Sequence, residues 1–549
     1  MKIPLPDLTD SVCSACRPIV EALQKIIELQ AQEIVELKNR VEVMEAEIRE
    51  LKKLSKKPKF KPSGMEKGTE PDEDEDKGDN NDEKGSGKKR SGRQQGQRSK
   101  TASVKIHHEE VVQPIESLPA GARLKGYRKF VVQDMKIASF NTLYRLAHYL
   151  LPDGSTLTGK LPKALNGQHF GNELRSYVLY QYHHCQVTQP LLCEQLRDWG
   201  VDISSGQLNR ILQQGHENFH QEKDELLNKG LNSTGYITTD DTGGRHLGNN
   251  GYVTHIGNEF FAWFQSSDNK SRINFLSILC GQQQGYRVNA SALCSMKEYK
   301  LPEFEREQLA NHPCQFFDSK AQWDEHLKQL NITRKHHVRA ATEGALLAQA
   351  IEVHTIESLV VVSDGAGQFK VLIHALCWVH AERLIYKLVP LNETHREDIK
   401  KVRGEIWDLY RGLKRYKLRP HASKKEVLEK EFERIFTQKT SYQLLNAQLK
   451  RLYKHKSSLL RVLERPEIPL HTNGSENDLR EQVKRRKISG GTRSDLGRQC
   501  RDTFSSLKKT CRKLKISFWQ YLQDRLSMNN QIPSLGELVL EKSRAATDY

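Results

Sequence analysis

Asp240, Asp364 and Glu476 are the acids whose surroundings set them apart. Asp240 closes the segment Tyr236–Asp240 (YITTD), Asp364 follows the apolar run Leu359–Ser363 (LVVVS), and Glu476 falls in the first turn of a helix opened by Asn473-Gly474-Ser475. Carboxylates on strand ends and on an adjacent helix are hard oxygen ligands, the kind Mg2+ or Mn2+ takes alongside substrate phosphates. Two such ions about 3.5–4 Å apart make an attacking water or 3′-hydroxyl nucleophilic and stabilise the leaving oxyanion of a phosphodiester. Singly, each acid has an ordinary explanation. An Asp after a strand is often a turn residue, and a Glu in a first helical turn complements the helix dipole. Their order along the chain gives them joint weight.

The elements that must position these acids are legible around them. Tyr236–Asp240, Tyr252–Ile256 and Glu259–Phe264 read as strands, the last two joined by a two-residue Gly257-Asn258 hairpin. A helical run follows from Arg272 to Leu279. The run LVVVS shows no alternation, which predicts a strand buried on both faces. A helix-forming stretch then leads from Asp364 to Cys377-Trp378-Val379-His380. Three antiparallel strands, a helix, a buried strand ending in Asp and a later helix carrying Glu form the skeleton of an RNase H-like nuclease. The expected architecture is multidomain α/β: an N-terminal coiled coil, a helical DNA-binding domain, and an RNase H-like mixed-sheet catalytic core with helical insertions.

Cations accompany the third acid. Arg480 and Lys484 lie four and eight positions beyond Glu476 and share its helix face. The basic run continues through Arg485, Arg486, Lys487, Arg493, Arg498, Arg501, Lys508, Lys509 and Arg512, with a Ser489-Gly490-Gly491-Thr492 turn between two helices. This is a candidate track for a DNA backbone, against the plainer reading of a solvated basic face. Upstream, Thr188–Trp199 has helical spacing, Gly200 breaks it, and Ser204 can cap a second helix through Leu212. The pair fits a helix-turn-helix whose second helix would offer Gln207, Asn209 and Arg210 to double-stranded DNA.

Before this region the chain changes character twice. Val20, Ile27, Ile34, Val41 and Ile48 recur every seven positions, with Leu23, Gln30, Leu37, Met44 and Leu51 three places behind each. β-Branched residues at one seam position and mostly Leu or Met at the other favour a parallel two-stranded coiled coil, hence self-association through 20–51. From Ser55 to about Thr101 large apolar residues nearly vanish and an acidic run gives way to a basic one, which predicts a disordered linker. The expected divisions are a coiled coil at 17–54, a charged linker at 55–108, and a β-hairpin plus helical DNA-binding region at 109–228. The hairpin lies in Tyr144–Pro162, around Pro152-Asp153-Gly154. The catalytic core occupies 229–393 with a helical insertion at 282–350, is interrupted by a second insertion at 394–464, and closes at 465–527.

The 549 residues carry a net charge of +17, which suits a polyanionic partner. The ten cysteines have no repeating spacing, as expected of reduced thiols in a cytoplasmic protein. No window approaches the ~20 apolar residues of a membrane span, and the start lacks a signal-peptide pattern. The pair Cys13 and Cys16 has no second pair after it, so no structural zinc is expected.

At the motifs just described the chain resembles transposases of the insertion-sequence-66 family, a DDE-type group. The matching pieces are Asp240-Asp241-Thr242, Ser363-Asp364 with Ala366-Gly367, Cys377 through Arg383 (CWVHAER), Asn473 through Arg480, Ser489–Thr492 and Phe518–Leu522, spread over roughly 118–525. The resemblance implies Asp240 as first acid, with Asp241 the alternative, Asp364 as second and Glu476 as third, holding two Mg2+ (or Mn2+) ions. His380 falls in a family motif and is expected to support the acids rather than react. The implied activity is cleavage and strand transfer at the ends of an insertion sequence, helped by small accessory proteins. A catalytically silent DNA-binding derivative, or a nuclease of the same fold that does not transpose, are the alternatives.

Overall fold

A computed structural model describes residues 105–547, apart from short gaps at 114–121, 126, 128–129, 163–164 and 166–167. The expected coiled coil and all but the last residues of the charged linker lie outside the described residues. Regular structure begins with a small exposed hairpin, β1 (His148–Leu150) and β2 (Thr156–Thr158). Its turn is the expected one, with Asp153 Oδ1 accepting from the Ser155 amide and hydroxyl. Four helices follow: α1 (Asn172–His183), α2 (Gln189–Asp198), α3 (Ser205–Gln213) and α4 (Glu217–Leu231). Gly200 ends α2 at φ +79°, a conformation a side chain disfavours. Ser204 starts α3 through a reciprocal capping box with Gln207. The anticipated helix pair is therefore present.

The sheet is built from β3 (Tyr236–His246), β4 (Asn249–Gly257) and β5 (Ala262–Ser267), all antiparallel. After α5 (Arg272–Cys280) the chain forms a helical module closed by a two-stranded ladder. It comprises β6 (Tyr286–Arg287), α6 (Ala290–Glu298), α7 (Glu303–Asn311), β7 (Phe316–Phe317) and α8 (Lys320–Gln329). The long α9 (Lys335–His354) packs on α5 and returns the chain to the sheet as β8 (Val360–Ser363). A short 3-10 turn, Gly367–Phe369, and a further strand, β9 (Ile373–Leu376), come next. The strand order is β5-β4-β3-β8-β9, with β8 and β9 parallel to β3.

Two local expectations are corrected. The β4–β5 connection has four residues, Asn258–Phe261, because Gly257 pairs with Ala262. Asn258 Oδ1 accepts from the Phe260 and Phe261 amides, an Asx turn that outcompetes the two-residue hairpin. The two-residue hairpin lies instead between β3 and β4 at Leu247-Gly248, both at positive φ. The stretch after Asp364 is a strand rather than a helix, since Ile373–Leu376 can extend the sheet beside β8.

Burial explains the unalternating LVVVS run. Val360 and Val362 join one hydrophobic core with Tyr236, while Val361 joins another, with Ile237 and Ile256, on the opposite face. The first of these cores is completed by α10 (Trp378–Tyr386), α11 (Glu393–Leu418), α12 (Ala422–Thr437), α13 (Gln443–Tyr453) and α14 (Lys456–Leu459). Trp378 is fully enclosed there and its indole N–H donates to the Leu459 carbonyl (2.9 Å).

The chain then runs through α15 (Asn473–Ser489), α16 (Asp495–Lys513), α17 (Phe518–Leu526) and α18 (Leu535–Thr547). α16 closes the outer edge of the sheet. Asp502, Ser506 and Thr510 accept from the Ser266, Phe264 and Ala262 amides respectively (2.7, 2.9 and 3.2 Å). Four helical residues advance about 6 Å and two strand residues about 6.8 Å, so each helical turn meets one outward amide. An edge that would otherwise invite another strand is thereby satisfied. No helix among the described residues is long and apolar enough to cross a membrane.

Candidate active site

β3 and β8 pair in parallel with a constant offset of 124 residues, Tyr236 with Val360 through Thr238 with Val362. Carried two residues further, that register sets Asp240 level with Asp364. Alternation along β3 puts Thr238 and Asp240 on one face and Asp241 on the other. α15 rests on the first face: the Ser475 hydroxyl donates to Thr238 Oγ1 (2.7 Å), and Leu479 packs with Val253, Ala262 and Phe264. Glu476 is thereby carried over the face that holds Asp240. α10 comes to the same place, with His380 Nε2 3.5 Å and Arg383 Nη1 3.7 Å from Glu476 Oε1.

Electrostatics tie these groups together. Burial, then the neighbouring Asp364 charge, pushes Asp240 up to about 6, although its Oδ1 accepts from the Asp241 amide. Burial works against the charge of His380, but the Cys377 thiol, Glu476 and Asp364 raise it to about 9. The Cys377 thiol is itself drawn below its ordinary value by His380, despite burial. Asp364 stands exposed at the strand end, its Oδ1 accepting from the Ala366 amide (2.9 Å). The turn beneath it is fixed by Ser363, whose hydroxyl meets His374 Nε2 at 2.9 Å. Burial, ahead of neighbouring cations, lowers His374 to about 4, so its ring is a neutral acceptor.

Asp241 is differently occupied. Gln368 Nε2 donates to its Oδ2 (2.6 Å), and Lys270 Nζ is 3.9 Å from its Oδ1. Gln368, Lys270, Cys377 and Arg383 escaped the sequence reading. Only the last two carry a signal there, as part of CWVHAER.

The three acids suit a hard divalent cation in donor type. Glu476 Oε1 is buried and accepts no hydrogen bond, so one ligand-type oxygen has only the two facing cations as company. Among the described residues no three His, Cys, Asp or Glu side chains are gathered as a ligand cluster, and Glu476 is engaged by His380 and Arg383.

The cations expected on DNA divide into two groups. Arg480, Lys484, Lys487 and Arg493 are exposed, as is Arg210 on α3. Arg485 is buried, lying over the Tyr182 ring (4.5 Å) with Nη1 3.4 Å from His183 Nδ1. One step along a helix rotates a side chain about 100°, which turns Arg485 away from Arg480 and Lys484 and into α1. Arg486 donates to the Gly243 carbonyl and so ties α15 to β3. Lys508 pairs with Glu481, and Lys509 lies 3.6 Å from Asp478, so the middle of α16 faces α15 rather than solvent. On α3, Gln207 is used in the capping box, and Asn209 Oδ1 accepts from Gln189 and Gln213.

Residues 337–500, which include Asp364, His380 and Glu476, match the family described as Transposase IS66 family. The chain is also 43% identical over 321 residues to "Uncharacterized protein y4jO" of Sinorhizobium fredii (strain NBRC 101917 / NGR234), covering 58% of this chain and 100% of that protein. The family match therefore places the protein among the transposases. Within them, it belongs to the IS66 family.

Proposed function

We propose that the chain is a DNA transposase that cleaves phosphodiesters at the ends of an insertion sequence and joins the freed 3′-hydroxyls to target DNA. The observation that carries this reading is the parallel register of β3 and β8, which brings Asp240 beside Asp364 just past the end of β8, with Glu476 brought over the same face by α15. The strand order, three antiparallel strands followed by two parallel ones, supports the reading of an RNase H-like core. Asp240, Asp364 and Glu476 would hold two Mg2+ (or Mn2+) ions, which supply the activated nucleophile and stabilise the leaving oxyanion.

The chain's own residues prepare that site. Asp240, with its proton loosened only near pH 6, and Asp364 concentrate negative charge at one spot. His380, protonated at neutral pH, and Arg383 face Glu476 and supply positive charge beside the place a phosphate would occupy. Gln368 and Lys270 hold Asp241 on the other face, which leaves Asp240 as the first acid. Arg480, Lys484 and Lys487 offer one cation per helical turn leading away from Glu476. Double-stranded DNA is the partner. Pairing of two ends would use the 20–51 coiled coil, with small accessory proteins assisting.

A second reading, a catalytically silent DNA-binding derivative, draws on the engagement of Glu476 by His380 and Arg383. Strand transfer separates the two. The purified chain, with Mg2+ or Mn2+ and DNA carrying the ends that flank its gene, should give joined product that disappears in Asp364→Asn. Tight binding without cleavage, accessory proteins included, would leave the silent reading standing.

A further inference from the structure

A groove of about 870 Å3 runs between the α2–α3 helix pair and the segment Ser489–Ser494. Both walls are fixed. The Ser494 hydroxyl donates to Gln213 Oε1 across the groove (3.1 Å). On the other side, the Thr492 amide donates to the Arg245 carbonyl, and the Leu247 amide to the Thr492 carbonyl (2.9 Å each), which pins the segment to the β3–β4 hairpin. Gly491 is required for this approach, since a Cβ there would stand 2.5 Å from the Arg245 carbonyl oxygen.

The two walls differ in charge. Arg493 and Arg501 line the Ser489–Ser494 side, and Arg485 lies behind Tyr182, which also lines the groove. The groups that hold these inner guanidiniums are neutral: the His183 ring for Arg485, and the Gly491 carbonyl (3.5 Å) for Arg501. Burial, then the charge of Arg485, lowers Arg501 to about 10, against the opposing pull of Tyr182 and Asp502. Glu194 and Asp198 line the α2 side and would repel an anion, while Arg197 between them is turned to the Ile203 carbonyl (2.9 Å). The anion-seeking side of the groove therefore continues the exposed row Arg480, Lys484 and Lys487. From Glu476 to Ser489 the helix advances about 20 Å, and duplex DNA advances about 3.4 Å per base step.

We infer that this groove seats a backbone phosphate of the same duplex whose cleaved bond lies at Asp240 and Asp364, about six base steps from that bond. The inference rests on the transposase reading and deepens it. The grip is independent of sequence. Asn209 and Gln213 on α3 face the groove and each other, so α3 serves as a wall for the backbone rather than as a reader of bases.

The test uses the full chain and duplexes carrying its own ends, with binding followed by fluorescence anisotropy across a salt series. Arg493→Ala, at an exposed position, should lower the slope of log affinity against log salt by about one. Lys424→Ala, on the exposed side of α12, should leave it unchanged. A neutral methylphosphonate placed singly along either strand should weaken wild-type binding about fivefold to tenfold at one position five to seven steps from the cleaved bond. At that position it should cost the Arg493→Ala, Arg501→Gln double variant nothing further. Circular dichroism confirms that the variants are folded. An Arg493→Ala slope equal to that of wild type, or equal methylphosphonate losses in both proteins at every position, overturns the groove assignment and leaves the transposase reading intact. Wild-type chain that neither binds nor cleaves these duplexes overturns both.

Discussion

Asp240, inside β3, and Asp364, the residue after β8, are neighbours although 124 residues separate them, because Thr238 pairs with Val362 two residues before each. Two carboxylates set side by side by a backbone ladder cannot drift apart as two on mobile loops would. Their mutual repulsion is therefore a property of the fold, and it makes several behaviours of the protein calculable.

Removing either charge from this pair, or that of Glu476, should all but abolish cleavage without loosening DNA. Asp240→Asn, Asp364→Asn and Glu476→Gln should each slow cleavage about a thousandfold or more, with DNA affinity kept within a few-fold. Asp241→Asn, on the opposite face, should cost far less. Single-turnover cleavage of end-bearing duplexes measures this. An Asp241 variant as dead as the Asp240 variant would reverse the assignment of the first acid.

Asp240 should make the protein less stable as pH rises. Its folded value near 6 exceeds the ordinary 3.8, so its favourable contribution is complete below about 4 and is lost as pH climbs through 6. Asp240→Asn has no such loss. Thermal melting at pH 5 and pH 8 should show the variant's advantage over wild type growing by about 1–1.5 kcal/mol, a shift of a few degrees.

His380 has the same sign in a higher window. Raised to about 9, it stabilises fully below 6.5, and the benefit disappears as pH passes 9. His380→Gln should cost about 2–3 kcal/mol at pH 7, and the deficit should shrink by pH 10. A deficit that stays constant with pH would mean that the ring matters only for packing.

The carrier of Glu476 is anchored by a buried charge network. Asp478 lies 3.0 Å from Lys513, 3.2 Å from His255 and 3.6 Å from Lys509, and the lysines with the His255 hydrogen bond, working against burial, hold it far below the carboxylate range. Its contribution is present above the ordinary value and is lost only in strong acid. Asp478→Asn should destabilise by about 3–5 kcal/mol, because it strands buried cations. Urea unfolding followed by tryptophan fluorescence would register the change.

Ser506→Ala should uncover the Phe264 amide at the sheet edge. One unsatisfied buried amide costs about 1–3 kcal/mol and leaves a pairing site for another strand. Lower stability accompanied by concentration-dependent light scattering is the expected pair of results, and Lys509→Ala, at a residue that bonds α15 instead, should not produce the scattering.

Much of this protein can be read along the chain because the relevant physics is local or periodic. The unalternating LVVVS run implies burial on both faces, Gly200 and Ser204 punctuate α2 and α3, and a strand's alternation separates Asp240 from Asp241. Asp364 and Glu476 stand where the chain pattern puts them, just after a buried strand and in the first turn of a helix, but Asp240 lies inside β3, which runs on to His246 instead of ending at the acid. What the chain order could not reveal was which faces meet. Arg485 and Lys508 look like members of a basic track until α1 and α15 cover them, and Asn209 looks free until Gln213 and Gln189 engage it. The β9 strand forms only because β8 offers an edge, and Asp502, Ser506 and Thr510 are ordinary helix residues until β5 lies beside them. Local periodicity sets the direction in which a side chain points. Whether solvent, a carboxylate or another backbone waits there depends on contacts hundreds of residues away, and only the tertiary structure decides them.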